Sequence, residues 1–434
     1  MVDLDGSPYQ GYLYAYPHKT AYRPLRPRPA LRDVWAAEPR DALGLYLHLP
    51  FCEMRCGFCN LFTRANPPAQ QVSHYLRQLR HEADAVREAL GPARFSVAAI
   101  GGGTPTYLTA DELAELFDLL ATVTAGARLP LAVETSPATA TPDRLAVLAA
   151  AGTTRLSMGV QSFLDAEAHA AGRPQRRAEV DRALAAIRAA GVPELNLDLI
   201  YGIPGQTSRT WLSSLRTALE WQPEELYLYP LYLRPLTGLG RRSTMDELDD
   251  RRRLAFYRAG RDLLLQHGYR QLSMRHFRLA RLGETTVDHS CQDDGTVGLG
   301  CGARSYTAGL HYSFDYAVSV GAVRSVIEDY LGRPPADFAY AEVGFALDAA
   351  ERRRRWLVKA LLRTAGVDRA AWRQRFGDDV LDAGDLAPLA ERGWLVGDAA
   401  TVSLTAEGLA HSDVIGPWLV SPAVQAAMGE YALR

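Results

Sequence analysis

Surplus charge, long apolar runs and cysteine are all scarce in this 434-residue chain, and each shortage removes a class of protein. Lysine and arginine number 48 against 50 aspartates and glutamates, a formal net charge of −2, so no broad electropositive surface for nucleic acid is expected. The run Arg352 to Arg355 is locally basic, but it follows Glu351 on an amphipathic pattern and reads as a solvated helix face. No apolar stretch approaches the roughly 20 residues that span a bilayer, and the opening Met1-Val-Asp-Leu-Asp-Gly6 has neither the basic nor the apolar region of a secretory signal. A cytoplasmic protein with no membrane and no nucleic-acid partner is expected. Five cysteines, an odd number, do not make a secreted disulfide scaffold. Repeats and low-complexity linkers are missing too, apart from a proline-rich entry between Pro24 and Pro29. Hydrophobic residues make up 47%, enough to bury the core of a large catalytic domain and a smaller companion.

What is present is concentrated. Cys52, Cys56 and Cys59 fall within eight residues at C-x3-C-x2-C spacing. A cubane [4Fe–4S] cluster usually takes four thiolates, so three at this spacing leave one iron for a ligand from outside the protein. A three-cysteine structural metal site is the alternative, but zinc sites join C-x2-C to a second pair or to histidines, and none follows at suitable spacing. With the aromatic Phe58 just before the last cysteine, the motif resembles the signature of the radical S-adenosylmethionine (SAM) enzymes. That resemblance implies that the amino and carboxylate groups of SAM chelate the open iron, and that reduction cleaves SAM to a 5′-deoxyadenosyl radical.

Short apolar strands alternate with longer helical patterns, the rhythm of βα units on a parallel sheet. Six units can be counted, with strands near residues 45–49, 95–100, 133–134, 157–161, 195–200 and 226–231. Helices are expected from the periodicity of Val72, Leu76, Leu79, Ala83, Val86 and Leu90, after a capping box at Thr109 and Glu112, and around 142–151, 177–190 and 208–221. Each polar or glycine-rich candidate falls at a strand end, where parallel α/β barrels gather their active sites. Gly101, Gly102 and Gly103 read either as a tight turn or as a place where a ligand approaches backbone without Cβ interference.

The chain is further similar to the HemN-like, anaerobic coproporphyrinogen III oxidase branch of the radical SAM superfamily. The runs that carry the likeness are Tyr46 to Cys52, Gly101 to Tyr107, Arg155 to Phe163, Asn196 to Pro204 and Val297 to Ala303. The resemblance implies a partial (β/α)6 barrel in an α/β fold, with a C-terminal winged-helix-like domain of the HemN type. The implied boundaries are 1–44 for an N-terminal extension, 45–335 for the barrel and its extension, and 336–434 for the C-terminal domain. Among cofactor-binding residues it implies Tyr46, Phe58, Gly101, Gly102, Gly103, Glu134, Gln161, Arg173, Asp198 and Ile200. Carboxylates such as Glu134 and Asp198 accept hydrogen bonds from ribose hydroxyls or an amino group, and the Arg173 guanidinium suits the methionine carboxylate. Competing readings are a barrel-mouth salt bridge for Glu134, a buried strand acid for Asp198 and an ordinary strand aromatic for Tyr46. Thr104 and Gln292 fall near positions implicated in a second SAM, against which an ordinary surface loop stands equally for Gln292. The implied partners are a small-molecule substrate and an electron donor such as flavodoxin or ferredoxin.

Departures from the family bear on the substrate. Leu61 stands where the oxidase has a further cysteine, and Arg275 stands where it has an acid before the His276-Phe277 pair. The segment His289-Ser-Cys-Gln-Asp-Asp294 replaces the pattern of the heme-chaperone relatives, which disfavours heme delivery. Cys291 and Cys301 are small buried hydrophobes on one reading and catalytic thiols of a cavity on the other, as sulfur donors, hydrogen donors or ligands of an auxiliary cluster. Beyond residue 340, the apolar face of Leu357, Leu361 and Leu362, with a turn at Gly397-Asp398, suggests the winged-helix-like module. The expected activity is radical tailoring of a small organic substrate, with methyl or methylene transfer from a second SAM as a continuation. Coproporphyrinogen decarboxylation, sulfur insertion through Cys291 or Cys301 and non-catalytic heme carriage are the alternatives.

Overall fold

The computed structural model describes residues 2–242, 249–283, 292–382 and 386–432. Six parallel strands, β1 (Leu43–Leu49), β2 (Phe95–Gly102), β3 (Leu131–Thr135), β4 (Arg155–Gln161), β5 (Glu194–Tyr201) and β6 (Glu225–Pro230), lie side by side in chain order. Alternation explains why each holds its place. In β1, Leu45, Leu47 and Leu49 are buried toward the surrounding helices, while Gly44, Tyr46 and His48 take the opposite face, toward the barrel interior. The helix Ala69–Leu90 answers with Val72, Leu76, Leu79, Ala83 and Val86, all buried. The helix Ala110–Val123 starts on the expected capping box, with the Glu112 amide donating to Thr109 Oγ1 at 3.3 Å and the Thr109 amide to Glu112 Oε2 at 2.9 Å.

The sheet continues beyond these six without closing. Thr296–Leu299 adds a parallel strand beside β1, followed outward by Arg304–Tyr306, Leu310–Ser313 and Val343–Ala346, while His276–Leu279 pairs antiparallel with β6. The N-terminal segment bridges between the two flanks. Tyr9 packs edge-on against Tyr201 of β5, Tyr12 does so against Tyr229 of β6, and Arg23–Pro24 pairs with Val343–Gly344 on the other flank.

After residue 348 the order is helix Ala349–Leu361, strand Val367–Asp368, helices Arg369–Phe376 and Ala387–Glu391, then strands Leu395–Gly397 and Thr401–Leu404, the winged-helix-like order that the sequence suggests. Its core contains Leu357, Leu361, Trp372, Val402 and Ile415, and also Leu4, Leu13, Tyr16 and Ala21. The structure thus joins two stretches that the sequence reading separates. The N-terminal extension shows no helical or strand period because its apolar residues serve partners far along the chain, those of Leu4, Leu13, Tyr16 and Ala21 more than 300 positions away. The Arg352–Arg355 run is likewise only partly a solvated face. Arg355 is buried, pairs with Asp294 at 2.9 Å and donates to the Tyr16 carbonyl at 2.7 Å.

Arg275, the departure noted before His276, ties these parts together. Its guanidinium pairs with Asp413 of the C-terminal module, both side chains being almost wholly buried, and lies 3.9 Å from the centre of the Tyr12 ring. Tyr232 donates to the same Asp413 carboxylate at 2.5 Å. Removing one partner of such a pair strands the other as a buried charge, at a cost of about 3–5 kcal/mol, whereas replacing both with apolar residues is much less damaging. Asp413→Ala should therefore lower stability by about that amount in urea denaturation, and the double change Arg275→Met with Asp413→Leu should recover a large part of it.

Candidate functional site

The cysteine loop leaves the C-terminal end of β1 and is stapled on both sides. The Arg64 amide donates to the Pro50 carbonyl at 2.6 Å and the Asn66 amide to that of Cys52 at 2.9 Å. At its centre the Gly57 amide donates to the Gly172 carbonyl at 3.1 Å, and the Leu239 amide to that of Gly57 at 2.7 Å. A Cβ on Gly57 would sit 2.9 Å from the Ala171 carbonyl oxygen, so only glycine allows this contact. Arg55 reaches across to the carbonyls of Cys59 and Val318.

The three thiols are half-buried and in electrostatic range of one another. Burial pushes the Cys52 thiol up to about 12, although Thr104 Oγ1 lies 3.5 Å from its sulfur. Burial also raises Cys56, opposed by the Arg173 guanidinium, whose Nη1 is 3.8 Å from Cys56 Sγ. Thiols buried this way stay protonated unless a bound metal takes their charge. Among the described residues, no three ligand-type side chains converge closely enough to grip a single ion. Near each other but not converging on a point, the three cysteines fit a cluster in which each iron takes its own thiolate.

Beside the loop, β2 and β3 meet through their inward groups. A Cβ on Gly101 would lie 2.8 Å from Glu134 Oε1, and the Gly102 amide donates to Glu134 Oε2 at 3.1 Å. Gly102 has φ +113°, with the His48 ring where its Cβ would be, and a Cβ on Gly103 would meet the Phe51 backbone. The glycine run is therefore required by close packing against Glu134, His48 and Phe51. His48 is the residue that the sequence reading passed over. Its Nε2 lies 3.2 Å from the Phe62 carbonyl, which can only accept, so Nε2 carries the proton. Its Nδ1 then accepts from the Tyr46 hydroxyl at 3.2 Å, and burial keeps the ring neutral, with its pKa lowered to about 4. The alternation that places Tyr46 and His48 on one face of β1 was the available signal.

Glu134 keeps accessible surface, yet protein is packed densely around it. That enclosure raises its pKa to about 7, with the Asp198 charge adding to the effect. Asp198 of β5 is raised to about 6, again first by burial, while accepting a hydrogen bond from Asn196 Nδ2 at 2.8 Å. At the end of β4, Gln161 takes φ +67° where the register with β5 slips, a strained geometry for a side-chain-bearing residue. Ile200 belongs to a small apolar cluster with Ala171, Ile203 and Leu231, against which Phe58 packs.

The structure thus brings together Cys52 with Thr104, Cys56 with Arg173, Glu134 with Gly101 and Gly102, and Phe58 with Ile200. It does not bring Cys301 or Gln292 to them. Cys301 is wholly buried in the main core, 3.8 Å from the Tyr75 hydroxyl, in a network that includes Glu82 and Tyr330, surroundings that suit a small buried hydrophobe. The Gln292 carbonyl accepts from Arg355 and Lys359 of the C-terminal helix. Cys291 lies outside the described residues.

Residues 46–218 match the model of the radical SAM superfamily. The heme chaperone HemW of Bacillus subtilis (strain 168) is 28% identical over 388 residues, covering 86% of this chain and 98% of that protein. The heme chaperone HemW of Escherichia coli (strain K12) is 32% identical over 278 residues, covering 60% and 69%. In fold, the solved coproporphyrinogen III oxidase (HemN) from Escherichia coli, described as a radical SAM enzyme, superposes with a TM-score of 0.77 at 24% identity over 97% of this chain and 98% of that one. No helix among the described residues is long and apolar enough to cross a membrane.

The raised Glu134 carboxyl has a measurable consequence. The folded protein holds this proton to higher pH than the unfolded chain, whose glutamates ionise near about 4.3. Its contribution to stability is complete below that value and is lost as pH rises toward about 7. Glu134→Gln should match the wild type near pH 4 and be more stable at pH 8, by on the order of 1 kcal/mol once screening by cavity water is allowed for, as read by urea denaturation at the two pH values.

Proposed function

Because the chain belongs to the radical SAM superfamily, in its HemN-like family, we propose that it is an enzyme that uses a [4Fe–4S] cluster and one SAM molecule to abstract hydrogen from a small organic substrate. When bound, the cluster and SAM supply a 5′-deoxyadenosyl radical. Cys52, Cys56 and Cys59 would hold the cluster. Arg173, beside Cys56, is suited to the SAM carboxylate, and Glu134 and Asp198 to its amino group and ribose hydroxyls. Tyr46, fixed by its bond to His48, offers a polar edge on the inward face of β1, and Phe58 with Ile200 offers an apolar wall.

The observation that carries this reading is the meeting of three clustered thiols, a cation and two cavity-facing acids at the strand ends. The N-terminal segment crosses the cavity on its open side. An enclosed polar chamber suits a reactive radical, which the protein must orient and keep from water. A second SAM is not part of the proposal. Thr104 Oγ1 is engaged with Cys52, and Gln292 is engaged with the C-terminal helix. Leu61, in place of the family's additional cysteine, and Arg275, committed to Asp413, weigh against coproporphyrinogen as the substrate. A one-electron donor such as flavodoxin or ferredoxin would supply the reductant.

The relatives named heme chaperones make carriage without turnover the reading to test against. Protein reconstituted anaerobically with iron and sulfide, then reduced, should convert SAM to 5′-deoxyadenosine. Cys56→Ala should lose the visible iron–sulfur absorption and fall to background nucleoside formation. Negligible nucleoside from fully loaded wild type, together with one-to-one heme binding, would replace the enzyme reading with carriage.

A further inference from the structure

The enclosed arginines of the barrel are mostly neutralised by carboxylates. Arg155 pairs with Glu225 at 2.7 Å, Arg278 with Glu194 and Glu225 at 2.6 and 2.7 Å, and Arg275 with Asp413. Two walled-in cations break this pattern. Lys19, on the N-terminal segment, has its Nζ 3.7 Å from the centre of the Tyr316 ring and 5.9 Å from that of Tyr14. Arg304 donates through Nε to the Tyr306 hydroxyl at 2.8 Å and lies 5.5 Å from the centre of the same Tyr14 ring. Among the described residues, phenols and rings rather than carboxylates surround both cations.

Both keep accessible surface with protein packed densely around them, as Glu134 does. They are close enough for the Arg304 charge to oppose that of Lys19, whose pKa falls to about 8, with burial the larger cause. Arg234 stands near them, stacked 4.7 Å over Tyr232. The neighbouring His18 is held neutral by burial and by these cations, so it adds no charge. A second, independent sign of a missing anionic partner is the Tyr22 hydroxyl, which is buried beside Arg304 and Tyr306 and has no hydrogen-bond partner among the described residues. Burying like charges together without a counterion costs several kcal/mol, unless an anion completes the site.

Lys19 also lies within electrostatic range of Cys59, so the cationic group adjoins the cysteine loop. Arg173 stands beside Cys56 instead and suffices for the SAM carboxylate. We propose that Lys19 and Arg304, supported by Arg234 and the hydroxyls around them, bind an anionic group of the substrate, a carboxylate or a phosphate, and fix which part of the molecule faces the cluster. The proposal rests on the enzyme reading above and adds the substrate's chemical class to it.

The test uses the full chain loaded with cluster and SAM, titrated calorimetrically with adipate, inorganic phosphate and the uncharged adipamide. At least one anion should bind about ten-fold more tightly than adipamide. The tighter of the two distinguishes a carboxylate from a phosphate substrate. Lys19→Met and Arg304→Met should each weaken that anion by about ten-fold, and Arg304→Lys should restore part of the loss. Lys19→Met carries the decision if the buried Arg304→Met does not fold. Anion binding no tighter than adipamide, or unchanged in Lys19→Met, overturns the proposal. A fall in cluster content or SAM affinity in Lys19→Met would assign this charge to the cofactor and overturn it as well. In these cases 5′-deoxyadenosine formation by the same wild-type samples still stands for the enzyme reading. Its absence beside selective anion binding would remove the enzyme and leave an anion-binding pocket.

Discussion

The main sheet has two ends that never meet. Arg23–Pro24 lies at one edge and Tyr269–Gln271 at the other. An unclosed barrel leaves interior side chains open to water along one side, and here residues 9–22 run across that side. They pack on Tyr201 and Tyr229 at one flank and reach Arg304 and Tyr306 at the other, where the following Arg23–Pro24 pairs with Val343–Gly344. Much else follows from this arrangement. The segment has to be held down, so it shares a core with the C-terminal module and is clasped where Arg275 meets Asp413 and Tyr12. The polar groups it covers lie in a confined space, which is why the acids of β3 and β5 are harder to ionise there than in water.

Charge is distributed unevenly within that space. Near the N-terminal ends of β4, β5 and β6, Arg155, Glu225, Arg278 and Glu194 form an alternating chain of ion pairs, and His276 stacks 4.4 Å from Tyr227 while its Nε2 lies 3.2 Å from Glu225. Glu225 is held well below the usual carboxylate range by His276 and Arg155, which outweigh its burial. This balanced floor contrasts with the rim, where Glu134 and Asp198 lack basic partners in contact and Lys19 and Arg304 lack acidic ones among the described residues. Opposite imbalances at neighbouring places near the strand ends give the rim an uneven field that the balanced floor lacks.

The readability of these features in the sequence follows the range of the interactions involved. The six strands and the capping box were legible because hydrophobic alternation and Thr109–Glu112 capping are local. The cysteine spacing was legible because an iron–sulfur cluster needs its ligands from one short loop. The glycine run was legible, but its packing partners were not: adjacency of Gly101 to Glu134 and of Gly102 to His48 depends on parallel register between strands. Arg275 stood out as a departure, yet its partner at position 413 carries no pattern that points back to it. Lys19 gave no signal at all. It lies in an aperiodic stretch and gains significance only through Tyr316, Tyr14 and the lack of a carboxylate partner among the described residues. For Cys301 the sequence left two readings open, because its neighbours Tyr75 and Glu82 lie more than 200 positions away.

The shared core of the two chain ends also orders events during synthesis. All strands of the main sheet have been made once residue 346 has emerged, but the surface that anchors Leu4, Leu13 and Tyr16 is not complete until residues beyond 413 follow. Domains of a growing chain begin to fold as units while synthesis continues. For the time it takes to make the last several dozen residues, the nascent protein is an open-sided vessel with its cysteine loop already built. In that interval residues 9–22 have no finished surface to lie against, so the side of the sheet that they cover stays open until synthesis ends.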